Sequence, residues 1–589
     1  MMKEPATASA LNDPLGVAVF ESRLNHIARE MGIAMVRASR SPVFSQSHDF
    51  SCFITDSSGH VVSQADGVPI HTGAGGFAVR ALLAYWGNDI QPGDLFVAND
   101  PYAAGGNHLP DLTIMCPVFD GERIAFACNR AHQIDIGGGA PGTYNPNATE
   151  IFHEGLRLPA MKLASGGCLR RDVMDMIALN TRMPEIVLAD LQAMIGSVQV
   201  GVRRLLEVAA DTPGQAFGRY CAAVLDHAER ATRREIEEIP DGVYHGSDVM
   251  SHDGFEAREV RIEVTITVAG SDITVDFAGS SPQLGSYKNS SLANTHSAVY
   301  LALSTLLGPD TPRNEGTCRV VRVIAPLGSV VNPRPPAPVT FSTVHPTYEI
   351  VHAVWRAMAV AVPERVSAGW GKLCHPVTSG RRPDGELFIM YQMAAQPGAG
   401  AMCGRDGFDQ IGQLQSLGAI TIPNLELYEQ LYPVEFLRHE FRTDSAGPGQ
   451  FRGGTGVEYA LRMKTATRQN LRGEGVGRKT GFGLCGGGAG ASAELIVDAG
   501  TAGERALPVN GVIELPPCDL LVRSSGGGGW GSPFKRHPDL VQQDVVHGVL
   551  SVGAARADYG VVLDPKTFQV DAQATAAARA AAQNESAAV

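Results

Sequence analysis

Three short stretches carry residue types that bind metal ions: Ser47-His48-Asp49-Phe50-Ser51, Asn107-His108-Leu109-Pro110-Asp111 and Arg130-Ala131-His132-Gln133-Ile134-Asp135. Imidazole and carboxylate are the ligands that Zn, Mn or Fe take in hydrolytic sites. His108 and Asp111 stand three apart across Pro110, which disfavours helix at Leu109 and predicts a turn presenting both side chains together. His132 follows the apolar run Ile124 to Cys128, which reads as a buried strand delivering it to a strand end, and Asp49 opens another strand at Phe50. Spacing alone leaves two readings open: Asp49, His108, Asp111 and His132 as one metal site, or as solvated loop residues. His71, in Val68-Pro69-Ile70-His71-Thr72-Gly73, and Glu154, in His153-Glu154-Gly155, are candidates for supporting such a site or moving a proton, against the alternative that each is structural.

Other chemistries are poorly served. Gly473-Glu474-Gly475-Val476-Gly477-Arg478-Lys479-Thr480 has the outline of a phosphate loop, but Arg478 stands where glycine is needed before the lysine. Gly526, Gly528 and Gly531 fit a dinucleotide fingerprint, yet the chain that follows has proline at both ends, Pro533 and Pro538, and makes a poor crossover helix. There is no Gly-x-Ser-x-Gly elbow for a serine hydrolase and no Cys-x-x-Cys pair for thiolate zinc. The ten cysteines are scattered singly, which argues against a disulfide framework and favours a reducing cytoplasm.

The elements that must position these groups are legible from periodicity. Val17, Phe20, Leu24, Ile27, Met31 and Met35 predict one amphipathic helix over Pro14 to Arg40, capped by Asn12 or Asp13. Residues 60–165 read as strand and loop. Residues 169–236, nearly free of glycine, predict two or three helices interrupted near Pro184 and Asp211-Thr212-Pro213. Alternation at Val260, Ile262, Val264, Ile266 and Val268, then a turn and Ile273 to Phe277, predicts a hairpin. Further helices are expected at 292–307 and 348–361, and a turn-rich sheet at 445–535. The expected fold is thus α+β and multi-domain. It divides into 1–168 (helix plus strand-and-loop metal-binding segment), 169–240 (helical), 241–440 (α+β with the hairpin), 441–568 (Gly-rich β) and a 569–589 tail.

Composition fits a globular chain: 589 residues, 44% apolar and 19% charged, with 67 Gly and 36 Pro predicting many turns. The net charge of −13 makes nucleic acid a poor partner. The opening Met1-Met2-Lys3-Glu4-Pro5 segment has no signal-peptide character, and no run reaches the roughly 18 apolar residues of a membrane helix.

The chain resembles the B subunits of the hydantoinase/oxoprolinase family, a group that includes N-methylhydantoinase B, the second half of 5-oxoprolinase and the acetone carboxylase alpha subunit. The markers run from about residue 14 to 568: Asp49-Phe50-Ser51-Cys52, Asn99-Asp100-Pro101-Tyr102, Gly106-Asn107-His108-Leu109-Pro110-Asp111, Arg130-Ala131-His132, Glu154-Gly155-Leu156, Asn180-Thr181-Arg182, Val275-Asp276-Phe277-Ala278-Gly279, Phe451-Arg452-Gly453-Gly454 and Gly526-Gly527-Gly528-Gly529-Trp530-Gly531-Ser532-Pro533. The resemblance implies one divalent metal on Asp49, His108, Asp111 and His132. Gln133 replaces a second histidine often found after the last ligand. It also implies a separate A-type subunit that binds ATP and phosphorylates the carbonyl oxygen of a small cyclic amide, in a hetero-oligomer such as A2B2. Metal-held water, its pKa lowered from near 16 toward about 7, would then attack the activated carbon, with Asp135 or Glu154 available as a nearby base. Zn, with Mn or Fe as alternatives, suits the mixed ligand set. Two rival readings go with the resemblance: a subunit of an ATP-dependent ketone carboxylase, or a non-catalytic assembly subunit.

Overall fold

The computed structural model describes residues 13–64, 67–212 and 216–587. The opening segment read for a signal peptide, the alternative cap Asn12 and Pro213 lie outside the described residues. The described chain is mixed α/β and gathers into two compact units: residues up to 249 with 261–357, and residues 250–260 with 358 onward.

The first unit is built on a seven-stranded sheet. Its strands are β1 (Phe50–Asp56), β2 (Val61–Gln64), β3 (Leu95–Ala98), β4 (Asp111–Asp120), β5 (Glu122–His132), β6 (Met161–Ser165) and β7 (Cys168–Leu169). They lie in the order β2-β1-β5-β4-β3-β6-β7, with antiparallel pairing wherever a register is defined. Both faces of the sheet are covered, which is why β1 is buried along nearly its whole length. On one face Cys52 reaches Ser197 of the helix Pro184–Asp211, which in turn packs on the helix Pro14–Ala38. The predicted stripe of that first helix, Phe20, Leu24, Ile27, Met31 and Met35, is the buried one, and Asp13 caps it by accepting from Gly16 N–H. On the other face Phe53, Phe96, Met115 and Phe126 pack with Val79 and Leu82 of the helix Gly75–Trp86.

The glycine-poor middle folds as the helices Arg171–Leu179, Pro184–Asp211 and Ala216–Glu237. The second of these is long and apolar enough to cross a membrane by length and composition, although no continuous apolar run within it reaches that length. Its apolar residues Val187, Leu191, Met194 and Val198 are buried in the unit. The expected hairpin is β9 (Val260–Ala269) with β10 (Asp272–Asp276), in a sheet ordered β11-β10-β9-β8 with β8 (Gly242–Met250) and β11 (Val321–Ile324). The helices Leu292–Ser304 and Thr347–Met358 follow.

The second unit holds two further sheets. One is ordered β13-β12-β16-β19 and the other β14-β15-β20-β17-β18. Their strands are β12 (Val377–Arg381), β13 (Leu387–Tyr391), β14 (Val434–Phe441), β15 (Val457–Met463), β16 (Thr467–Leu471), β17 (Glu494–Val497), β18 (Arg505–Ala506), β19 (Gly511–Leu515) and β20 (Cys518–Arg523). Their shared core includes Phe388, Met390, Tyr459, Leu461, Leu520 and Val522. Beside it, the run Gly526–Gly529 is threaded among neighbouring segments. Gly527 N–H donates to Gly454, Gly528 N–H to Gly369 and Gly529 N–H to Gly488. A Cβ on Gly527 would stand 1.8 Å from the Ala399 carbonyl oxygen, and one on Gly528 1.9 Å from that of Phe482. The run that resembled a dinucleotide fingerprint is therefore glycine because main chains pack there at close range, each N–H going to a different neighbour. The last element among the described residues is the helix Ala572–Ala587, where a tail was expected.

Replacing Gly527 with alanine should force those main chains apart and lower stability by about 3 kcal/mol, the scale of severe overpacking. Denaturant titration checks this; an unchanged midpoint would show that the segments have room to spare.

Candidate metal centre

All the candidate ligands lie in the first unit, where the sheet register brings them together. Asp111, the first residue of β4, is paired directly with His132, the last of β5. His132 N–H donates to the Asp49 carbonyl at 3.1 Å, which sets Asp49 beside it at the mouth of β1. His108 reaches the same point from the turn before Asp111, as the spacing across Pro110 predicted. His108, Asp111 and His132 form a group able to hold a metal ion, with one donor atom from each lying within 4.8 Å of the others.

The protonation pattern explains why a cation suits this point. His108 Nδ1–H donates to the Thr340 carbonyl at 2.5 Å, which commits Nδ1 and leaves Nε2 facing the carboxylate. That Nε2 stands 2.8 Å from Asp111 Oδ1. Nε2 of His108 and Oδ2 of Asp111 are both buried without a hydrogen-bond partner. The close contact of Nε2 with Oδ1 requires positive charge between ring and carboxylate, supplied by a proton on Nε2 or by a metal ion. His132 Nδ1 lies 3.2 Å from the same Asp111 oxygen. Burial acts to raise the Asp111 pKa, yet His108 and His71 beside it hold the carboxyl well below the usual range. The residues present fit a divalent cation.

His71 joins this group. It sits on the single turn Pro69–Thr72, with Nε2 3.3 Å from Asp111 Oδ2 and 3.8 Å from Asp49 Oδ1. Burial pushes its pKa down to about 4, partly offset by the Asp111 charge. The turn is anchored by Ser297 and Asn107, whose side chains both donate to the Ile70 carbonyl.

Asp135 and Glu154 are placed differently. Asp135 is fully buried, and its carboxylate accepts from the N–H groups of Gly137, Gly142 and Arg182, from the Thr181 hydroxyl and from the Arg182 guanidinium. It ties the 137–142 loop to residues 181–182. Glu154, also buried, accepts from Val339 N–H at 3.0 Å and Thr340 N–H at 2.7 Å. Burial raises its pKa to about 8, with those two N–H groups pulling the other way. Glu154 thus fixes the peptide whose carbonyl orients His108. Both carboxylates hold the frame of the site through both oxygens.

Three residues at the site carried little signal in the sequence. Arg130 is completely buried and donates to Thr113 Oγ1, the His71 carbonyl and Asn107 Oδ1. The period-two alternation of β5, which puts Arg130 on the same face as His132, was the available clue. Thr143 adopts φ 65°, in a region that β-branched residues avoid, and sets its hydroxyl 3.3 Å from His132 Nε2. Tyr144 stacks on the His132 ring at 5.6 Å and 18°.

Arg130→Met should lower metal affinity about tenfold or more, the usual effect of removing a group that orients ligands. A chelator-competition titration would measure this; unchanged affinity in a folded variant would show that Arg130 does not organise the centre.

Comparison with known proteins agrees with the motif reading. The family model for hydantoinase B/oxoprolinase matches residues 13–533. Caprolactamase subunit beta of Pseudomonas jessenii is 35% identical over 585 residues, covering 97% of this chain and 99% of that one. The crystal structure of the ATP-dependent caprolactamase from Pseudomonas jessenii matches with a TM-score of 0.89 at 32% identity, covering 96% of this chain and 99% of the other. A nucleotide-free acetone carboxylase structure also gives a TM-score of 0.89, at 20% identity over 98% of this chain and 84% of its own, a likeness of fold. The chain belongs to the hydantoinase B/oxoprolinase family.

Proposed function

We propose that this chain is the B-type subunit of an ATP-dependent cyclic-amide hydrolase, acting on a lactam, hydantoin or oxoproline ring with a separate A-type subunit. The observation that carries the reading is the buried group His108, Asp111 and His132, with His108 Nε2 2.8 Å from Asp111 Oδ1. It occurs in a chain 35% identical to a caprolactamase beta subunit. The name of that relative, a subunit beta, supports a hetero-oligomer, for which we propose an A2B2 arrangement.

Asp49, His108, Asp111 and His132 would hold one divalent cation, with His71 beside them. When bound, that cation supplies Lewis acidity and makes water a nucleophile near neutral pH. Mixed imidazole and carboxylate ligation accommodates Zn, Mn or Fe. The residues of this chain do the rest. Asp111, held anionic by its imidazole neighbours, keeps the centre charged for a cation. Thr340 fixes the His108 tautomer, and Glu154 fixes Thr340. Tyr144 and Phe341, in edge contact at 5.8 Å, form an apolar wall beside His132 that limits access of bulk water. An amide carbonyl is a poor electrophile, so ATP-driven phosphorylation of its oxygen is what makes attack at this centre feasible. We assign ATP to the partner. The Gly526–Gly529 run is taken up by main-chain packing, and Val476 of the other glycine-rich stretch forms a bridge to Ala493.

Two outcomes test this. The chain, combined with an A-type partner, ATP and a lactam, should release the ring-opened amino acid without incorporating labelled bicarbonate; incorporation would make it a carboxylase subunit. Chelator treatment should abolish turnover and Zn, Mn or Fe restore it, while full turnover by metal-free His108→Ala protein would overturn the reading.

A further inference from the structure

A second carboxylate–imidazole pair lies along the same wall. His345 Nδ1 stands 2.9 and 3.1 Å from the two oxygens of Glu349, and both side chains are completely inaccessible to solvent. The opposite nitrogen, His345 Nε2, is buried without a hydrogen-bond partner among the described residues. The ring is stacked on Tyr348 at 4.9 Å and lies 5.4 Å from Phe341. Phe341 meets Tyr144 at 5.8 Å, and Tyr144 stacks on His132 at 5.6 Å. The main chain makes the same connection. His345 N–H donates to the Phe341 carbonyl, and Phe341 follows Thr340, the residue that holds His108.

Leaving a buried polar atom unsatisfied costs about 1–3 kcal/mol, so such an atom, three ring contacts from His132, calls for a ligand. The Glu349 carboxylate can only accept, so Nδ1 carries the proton and a neutral ring presents a lone pair at Nε2. The complementary ligand is a hydrogen-bond donor of small size. We infer that His345 Nε2 accepts a hydrogen bond from the ring N–H of the cyclic amide, with Glu349 as the positioning residue that fixes the tautomer. This rests on the hydrolase reading above and adds the group that recognises the substrate nitrogen. It also predicts a preference among substrates: an amide carrying N–H should be favoured over its N-methyl counterpart, which has no proton to give.

The test compares valerolactam or caprolactam with its N-methyl analogue, in the complete complex with ATP. His345→Asn keeps an N–H donor toward Glu349 and removes only the Nε2 position. Glu349→Gln can donate to Nδ1 and so turns Nε2 into a donor. Each variant should lose about tenfold or more in kcat/KM on the N–H lactam. Each should leave the N-methyl lactam and the metal content unchanged. Equal losses on both substrates would mean a structural role and overturn the assignment, as would no loss on either. Wild-type protein that opens no lactam, hydantoin or oxoproline ring with the partner and ATP would instead sink the hydrolase reading, and this assignment with it.

Discussion

The first unit is organised around one buried contact. Asp111 is buried among the rings of His71, His108 and His132, and the nearest nitrogen, His108 Nε2, stands 2.8 Å from the carboxylate. The protein arranges this deliberately: Thr340 takes the His108 Nδ1 proton, Glu154 holds Thr340, and the β4–β5 register places His132 opposite Asp111. Arg130 supplies a fully buried cation nearby, but its donors are committed to Thr113, Asn107 and the His71 carbonyl. It shapes the pocket, while the contact of His108 with Asp111 still needs a positive charge between ring and carboxylate. A buried carboxylate ringed by three imidazoles is a candidate for holding a divalent cation.

The strands explain why ligands so far apart in sequence converge. β1, β4 and β5 are adjacent and antiparallel, so the start of β1, the start of β4 and the end of β5 fall at one edge. The helices Pro14–Ala38 and Pro184–Asp211 on one face and Gly75–Trp86 on the other bury the sheet on both sides, giving the rigid support a metal centre requires. The loops that finish the pocket, including 143–144 and 337–345, come from the same unit.

Sequence made the candidate ligands readable because each sits where periodicity ends: Asp49 before an alternating strand, His108 and Asp111 around Pro110, His132 after an apolar run; the three-residue group able to hold a metal ion leaves Asp49 beside it rather than within it. The helices and the hairpin were readable for the same reason. Partners in space were not. Asp135 and Glu154 looked like available bases because most of their hydrogen bonds come from backbone N–H groups, and sequence carries no trace of those. His345 and Glu349 stand four apart like many helical pairs, and only burial singles them out. The glycine runs showed the converse, a nucleotide-like spacing produced by main chains packing too closely for any side chain.

The central claim is that Asp111 and its histidines exist to hold a divalent ion. Anomalous diffraction from crystals of the metal-loaded protein, recorded at the edge of the bound element, tests it most directly. The account predicts one peak about 2.0–2.3 Å from His108, Asp111 and His132 atoms. A peak elsewhere in the chain, or stoichiometric metal in solution with no density at that point, would contradict it.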